Sequence, residues 1–226
     1  RRKEEYGHGI YENVITSADL EELFASGNEL LNRHGRKPER VGFVHCVGSR
    51  DEKVNNLHCS KVCCITAVKQ AIEVKQKLPD AEVFCFYMDL RMFGRHYEEL
   101  YKEAQEKYNI QFIRGRLSES TEDQEGNVVV KVEDTLLGKP LRIKTSLLVL
   151  MAGMEPRANT RSLARRMGLK TVSDGFIQPV DEILHSNYTE IPGLFVAGTC
   201  SGPKSVADTL ADARSAAFAV ADFLKK

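Results

Sequence analysis

Val41-Gly42-Phe43-Val44-His45-Cys46-Val47, closed by Gly48-Ser49, is a short apolar run ending in a turn, and its surroundings decide the fold. A loop follows, and then residues 62–78 read as a helix, with Ile65, Val68, Ile72 and Gln76 along one stripe. Pro79-Asp80 stops that helix. Glu82-Val83-Phe84-Cys85-Phe86-Tyr87-Met88 is a continuous apolar run, the pattern of a strand covered on both faces. A second helix over 97–108 and a third strand over 110–113 complete a β-α-β-α-β series. Such a series predicts a parallel sheet with right-handed crossovers, an α/β domain of Rossmann type.

Upstream, residues 1–40 are polar and loop-rich. Tyr6-Gly7-His8-Gly9 reads as a turn, and Asn13-Val14-Ile15-Thr16-Ser17 as a short strand running into a helix over 18–24 with Ser17 as its N-cap. Gly27 and Pro38 bound a linker. Downstream, 127–132 and 141–144 predict a hairpin, 147–153 a buried strand and 162–167 a short helix. Residues 191–198 read as a turn and another buried strand, and Ser205 caps a helix over 206–224. The sequence contains no internal repeat and no low-complexity segment.

Composition excludes several classes. The 226 residues are 42% apolar and 28% charged, which is ordinary for a globular protein and unlike a disordered one. Lys and Arg number 32, as do Asp and Glu, so no basic field exists to hold nucleic acid or an anionic membrane. The longest apolar stretch, 147–154, is far short of the ~20 residues of a membrane-spanning helix. Arg1-Arg2-Lys3-Glu4-Glu5 does not resemble a signal peptide, and the absence of a leading Met fits a fragment or a processed product.

Four of the six cysteines, Cys46, Cys59, Cys63 and Cys64, fall within 19 residues as C-x12-C-x3-C-C. A disulfide scaffold would spread them along a shorter chain, so clustering points to a metal or redox site in a reducing, cytoplasmic compartment. Four thiolates suit an iron–sulfur cluster, and an all-cysteine zinc site is also available to them. Zinc knuckles favour C-x2–4-C pairs, and the adjacent Cys63-Cys64 pair fits the separated iron corners of a cubane better. Reactive or buried thiols without metal are the third reading. The cysteines sit between the first strand and first helix of the βαβ unit, where a dinucleotide-binding protein places G-x-G-x-x-G. That turn is absent. Cys63 and Cys64 stand at the helix start instead, where the dipole and free N–H groups favour an anionic centre. His45 and His58 flank the cysteines; they are expected as solvated loop histidines, with ligation or hydrogen bonding to a centre as the alternative. Cys85 reads as core, and Cys200 as core or close to a cofactor.

A second pattern lies downstream. The strand ending at Gly153, and Gly193-Leu194-Phe195-Val196-Ala197-Gly198-Thr199 leading through Gly202-Pro203-Lys204 into a helix, both offer glycine turns that a ligand can approach closely. Two ordinary strand ends in a packed sheet are the alternative.

Cys46-Val47-Gly48-Ser49-Arg50-Asp51, Cys59-Ser60-Lys61-Val62-Cys63-Cys64 and Val68-Lys69-Gln70-Ala71 closely resemble the flavin- and iron–sulfur-carrying subunit of heterodisulfide reductase, and also the corresponding flavoprotein of the quinone-interacting oxidoreductase of sulfate reducers. Asn13-Val14-Ile15-Thr16-Ser17, Asp89-Leu90-Arg91-Met92-Phe93-Gly94 and Gly198-Thr199-Cys200-Ser201-Gly202-Pro203-Lys204 extend the likeness nearly end to end. The resemblance implies a thioredoxin-reductase-like flavoprotein, with an N-terminal segment (1–40), a Rossmann-like domain (41–118) carrying a [4Fe–4S] cluster, and a hairpin with the end of an FAD-binding domain (119–226). It implies Cys46, Cys59, Cys63 and Cys64 as cluster ligands and Lys69 beside the flavin, tuning it by charge. It further implies flavin contacts from Gly153, Gly198, Thr199, Gly202, Pro203 and Lys204, and from Asp208 and Thr209 at the start of the helix facing the isoalloxazine.

Four departures accompany the likeness. The Gly-rich unit that holds the ADP half of FAD is absent from this sequence, as is a C-x2-C-x2-C-x3-C run; His8 replaces an aromatic and Ser205 an acid. The chain therefore resembles the middle and end of such a protein, truncated or separately encoded. The expected function is electron transfer between FAD and the cluster to a partner subunit, an oxidoreductase role. Its expected partners are other subunits of the complex, a separate chain carrying the Gly-rich half, and a second copy in a homodimer. The rivals are a cluster module lacking flavin, a zinc-stabilised structural protein and a nicotinamide-dependent disulfide reductase, the last disfavoured by the missing glycine turn and C-x-x-C pair.

Overall fold

The computed structural model describes residues 4–225. In chain order, β1 (Val14–Thr16) leads into α1 (Ser17–Ala25), followed by β2 (Arg40–Val47), α2 (Cys63–Lys77), β3 (Glu82–Tyr87), α3 (Tyr97–Glu106) and β4 (Gln111–Arg114). Next come β5 (Leu117–Glu122), β6 (Val128–Asp134), β7 (Lys139–Thr145) and β8 (Leu147–Ala152), then α4 (Thr160–Met167) and α5 (Val206–Phe223). Two compact units divide the chain. The first holds the described residues up to Gly48 together with Cys63–Gly153, and the second holds Ser49–Val62 together with the described residues from Met154 onward.

The first unit contains a five-stranded parallel sheet in the order β1-β8-β2-β3-β4, so the predicted β-α-β-α-β series forms as read. β8 arrives from far along the chain and inserts between β1 and β2, pairing Val41 with Leu147 and Phe43 with Val149. Both faces of this sheet are covered, which is why β2 and β3 read as continuous apolar runs rather than alternating ones. On one face Val41, Phe43, Val83, Cys85 and Val149 pack with Ala67, Val68, Ala71 and Val74 of α2. The small alanines let the helix sit close to the strands. On the other face Val44, Phe84, Phe86, Leu148 and Leu150 pack against Val128, Val130 and Val132 of β6. Full burial of residues such as Phe43, Phe86 and Leu148 contributes about 1.5–3 kcal/mol each.

Several local expectations are corrected. The cap of α1 is Thr16, not Ser17: the Thr16 hydroxyl accepts from the Asp19 N–H while the Asp19 carboxylate accepts from the Thr16 N–H, a complete capping box. Gln76 is exposed; the buried side of α2 runs through Ala67, Val68, Ala71 and Val74 because the helix lies against the sheet on that side. The hairpin gains a third strand, β5, paired antiparallel with β6. Its residues Leu117-Ser-Glu-Ser-Thr-Glu bury only Leu117 and Ser120, so they carry no apolar alternation.

Gly115, between β4 and β5, has backbone from another strand against it. A Cβ there would fall on the carbonyl oxygen of Glu133 and 2.8 Å from Val132 Cγ2. Because the obstacle is main chain, it cannot rotate aside. Gly115→Ala is expected to destabilise the first unit by the upper end of about 1–3 kcal/mol, seen as a lower urea midpoint with an unchanged slope.

The second unit is more irregular. Its apolar cluster is small: Ala164, Ile177 and Val196, with Leu169 and Cys200 against it. The strand expected over 191–198 is reduced to a single bridge between Tyr188 and Phe195. Gly193 (φ 81°) and Gly198 (φ 78°) turn the backbone at both ends of that short run and leave too little extended chain for a ladder. α5 starts at Val206 as predicted, with Ser205 as N-cap and Asp208 closing a capping box. Along α5, Val206, Leu210 and Phe218 are exposed. Among the described residues no helix is long and apolar enough to cross a membrane.

Candidate functional site

In the first unit, Cys46 lies at the C-terminal end of β2, and Cys63 and Cys64 open α2, all three buried. β2 bulges here. Val44 pairs with Leu150 but Val47 pairs with Ala152, so two residues, His45 and Cys46, oppose one on β8. Cys46 takes up the irregularity in the left-handed region at φ 58°. A non-glycine residue held there costs of order 1 kcal/mol and persists only where surrounding structure fixes it. Arg50, Asn55 and Lys61 share that conformation, so four of the six such residues among those described fall between positions 46 and 61. The strain is concentrated on the cysteine segment.

The loop over 89–91 reaches the Cys64 sulfur. The Arg91 N–H donates to Cys64 Sγ at 3.5 Å, and the Asp89 carbonyl lies 3.7 Å from it. This loop thus supplies a backbone donor to a thiol. Cys85, by contrast, is fully buried in β3; burial, reinforced by the Cys64 charge, pushes its thiol well above the ordinary range. It is a neutral core residue, as expected.

His45 is corrected. It is a strand residue, not a solvated loop residue, and it is 7% exposed. Burial drives its pKa down to about 4, and neither ring nitrogen has a hydrogen-bond partner.

Cys59 belongs to the second unit, within a loop held by its own network. Ser49 and Ser60, both fully buried, share a 2.5 Å hydroxyl hydrogen bond, and Ser60 Oγ accepts from the Met154 N–H at 2.8 Å. Asp51 and Asn56 exchange backbone hydrogen bonds, and Asn56 Nδ2 donates to Glu155 Oε1. His58, also expected as solvated, is half-buried. Its Nε2 lies 2.9 Å from the Met154 carbonyl oxygen, and its Nδ1 lies 3.1 Å from Asp174 Oδ2. The Lys61 N–H points at Cys59 Sγ at 3.4 Å. Among the described residues no three His, Cys, Asp or Glu side chains converge as a single-ion site.

The glycine segment of the second unit is organised by a residue the sequence reading missed. Asp212 Oδ2 accepts from the Gly198 N–H at 2.6 Å and stands 3.2 Å from Lys204 Nζ, while Oδ1 accepts from Asn187 Nδ2 at 2.8 Å. Lys204 also donates to the Gly198 carbonyl and to Ser201 Oγ. Its ammonium therefore holds the loop in shape. The Thr209 hydroxyl donates to the Ser205 carbonyl and Asp208 caps Ser205, so both serve the helix start. Gly202 (φ 150°) has open space where a Cβ would be, and Thr199 is exposed. Ser201, Gly202, Pro203, Lys204, Asp208 and Asp212 line part of a cleft of about 640 Å³ within this unit. The one hint of Asp212 in the sequence is a carboxylate one turn after the capping box, in an alanine-rich helix.

Lys69 and Gly153 fall in the first unit. Lys69 lies exposed on α2, beside a cleft of about 470 Å³ shared with Ser17, Glu21 and Glu73. The Gly153 N–H donates to the Val47 carbonyl and extends the sheet by one bond.

Residues 66–217 match the family model described as pyridine nucleotide-disulphide oxidoreductase. The chain belongs to that family. Alignment with the iron-sulfur subunit of the CoB–CoM heterodisulfide reductase of Methanocaldococcus jannaschii gives 45% identity over 96% of this chain and 34% of that protein. The equivalent subunit of the H(2)/formate:CoB-CoM heterodisulfide,ferredoxin reductase of Methanococcus maripaludis is 44% identical over 97% of this chain and 34% of its own length. The resemblance carried by the cysteine segment is thus borne out along nearly the whole sequence, and this chain spans about a third of the length of those relatives. The thioredoxin-reductase-like fold is borne out as well. Thioredoxin reductase of T. acidophilum superposes with a TM-score of 0.61 at 18% identity, covering 99% of this chain and 60% of that one.

Proposed function

We propose that this chain is an electron-transfer component of a heterodisulfide-reductase-like oxidoreductase. It would hold a [4Fe–4S] cluster through Cys46, Cys59, Cys63 and Cys64, within the Rossmann-like part (41–118), and contribute part of an FAD site through 119–226. The observation that carries the reading is the C-x12-C-x3-C-C segment placed at a strand end and a helix start, on backbone held in the left-handed region. The M. jannaschii relative is named as an iron-sulfur subunit, which supports the same reading.

The residues fit such a group. The N-terminus of α2 directs its first N–H groups and its dipole toward an anionic centre, and the Arg91 and Lys61 N–H groups aim at Cys64 and Cys59 sulfur. Hydrogen bonds of that kind stabilise thiolate and tune a cluster. Bound FAD supplies two-electron exchange and the cluster single-electron exchange. The chain's own part is to hold and orient. Cysteine thiolates fix the irons. Asp212 and Lys204 fix the Gly198–Gly202 turn whose backbone a flavin would approach, with Thr199, Pro203, Asp208 and Thr209 completing that edge. Lys69 would add a cation, and Gly153 a close turn. Delivery to other subunits, a separate chain carrying the Gly-rich half of the FAD site, a homodimer and a cytoplasmic location complete the reading.

The test is an anaerobic visible spectrum of the isolated chain with iron, sulfide and zinc counts. Iron and sulfide at about four each per chain are expected. Zinc without iron or sulfide would overturn the electron-transfer role, and iron without flavin would confine it to the cluster.

A further inference from the structure

His45 is an anomaly in the core of the first unit. Buried polar side chains nearly always find a partner, and leaving one unpaired costs about 1–3 kcal/mol. Here both nitrogens of a ring that is 7% exposed are without one. The cost has not been avoided by an apolar residue, although the neighbouring strand positions Phe43 and Val44 are apolar.

Its placement says what the ring is directed toward. Alternation along β2 puts Val41, Phe43 and His45 on one face of the sheet, the face on which Val41 and Phe43 pack with α2. The ring contact agrees: His45 lies 6.4 Å from Tyr87, which meets Phe112, which meets Tyr101 of α3. α2 crosses this same face, and its first residue, Cys63, belongs to the same apolar cluster. Because α2 returns antiparallel to β2, its N-terminus lies at the C-terminal end of the strand. The face, the strand end and the helix start therefore bring His45 to the neighbourhood of Cys46, Cys63 and Cys64. The bulge at His45 and Cys46 re-aims those two side chains relative to a regular strand.

We infer that the His45 ring is a built-in hydrogen-bond donor to the metal–sulfur centre, directed at a thiolate or sulfide sulfur. This rests on the cluster reading above. In either protonation state an imidazole carries at least one N–H, so the inference needs no particular charge on the ring. His45 is a positioning and tuning residue, not one of the four ligands. A donor to cluster sulfur stabilises the added negative charge of the reduced state, so its loss makes the centre harder to reduce.

The test uses the iron-loaded chain and the His45→Leu and His45→Gln variants, each with iron and sulfide counted first. His45→Gln keeps an N–H donor, whereas His45→Leu does not. The expected results are full iron and sulfide in all three, and a midpoint potential that moves to a more negative value in His45→Leu and is at least partly restored in His45→Gln. Pulsed electron paramagnetic resonance of the reduced protein labelled with 15N-histidine should show a weak nitrogen coupling that disappears in both variants. Identical potentials with no nitrogen coupling would overturn the inference and leave His45 a buried core residue. A strong coupling, with iron lost in both variants, would overturn it in favour of direct ligation. Absence of iron from the unsubstituted chain would sink the cluster reading itself, and that outcome is recognised before any variant is compared.

Discussion

Cys59→Ala is expected to leave a folded protein with most of its iron, sulfide and visible absorbance gone. The loop around Cys59 is held by other groups: the Ser49–Ser60 hydroxyl pair, the Ser60 bond to the Met154 N–H, and the Asn56 and His58 contacts to 154–155. Removing the sulfur costs the loop only the weak Lys61 N–H contact, about 1 kcal/mol or less. In the proposed reading the cluster would lose one of its four thiolates. Cys85→Ala is the matched control, because Cys85 is a neutral thiol in the core of β3. That change costs stability through a small cavity and leaves the iron in place. Iron and sulfide counts with circular dichroism on both variants decide the matter. Full absorbance in Cys59→Ala would show that the four-cysteine assignment is wrong.

Asp212→Ala is expected to unfasten the start of α5. Its carboxylate is 9% exposed and its partner Lys204 20% exposed. Truncation strips Gly198 N–H, Lys204 and Asn187 of an acceptor at once. Removing one partner of a buried pair costs about 3–5 kcal/mol, and this pair, not fully enclosed, belongs at the lower end. Burial works to raise the Asp212 pKa, but the Gly198 N–H, the Asn187 amide and Lys204 outweigh it and the carboxyl is held below its ordinary value. A depressed folded-state pKa means that the stabilisation is present above the unfolded value, near about 4, and is lost as pH falls through the folded value. Urea titrations of the native chain should therefore show stability falling below about pH 4, with a shallower fall in Asp212→Ala. Asp212→Asn, which keeps an acceptor for Gly198 but loses the charge, should fall between the two. Equal midpoints for all three would remove Asp212 from the account.

The parallel sheet is legible in the sequence because burial on both faces writes itself as runs such as Phe84-Cys85-Phe86, and the cysteine spacing is legible because four thiols in 19 residues have few ordinary explanations. What escapes such a reading is set by partners distant in the chain. β5 is polar on its outer face and exists through its pairing with β6. The order of the sheet depends on β8 entering beside β2, more than 100 residues after it. Thr16 and Ser17 are both good caps, and only the reach of Asp19 chooses between them. Asp212 reads as one more charge on a surface helix until the turn at Gly198 brings it to the Gly198 N–H and Lys204. The burial of His45 escapes such a reading because a histidine near a strand end is ordinarily solvated, and the bulge beside it is set by pairing with the distant β8.

The loop that holds Cys59 is fastened to residues made much later. Ser60 takes its hydrogen bond from Met154, 94 positions further on, and His58 meets Asp174 further still. A ribosome adds roughly 5–20 residues per second, so for seconds after Cys46, Cys59, Cys63 and Cys64 have emerged, the Cys59 loop has only its local bonds, such as the Ser49–Ser60 pair, and lacks its ties to Met154, Glu155 and Asp174. Under the cluster reading proposed above, a complete set of positioned thiolates would therefore be available only after the segment that carries Met154 and Asp174 has been made.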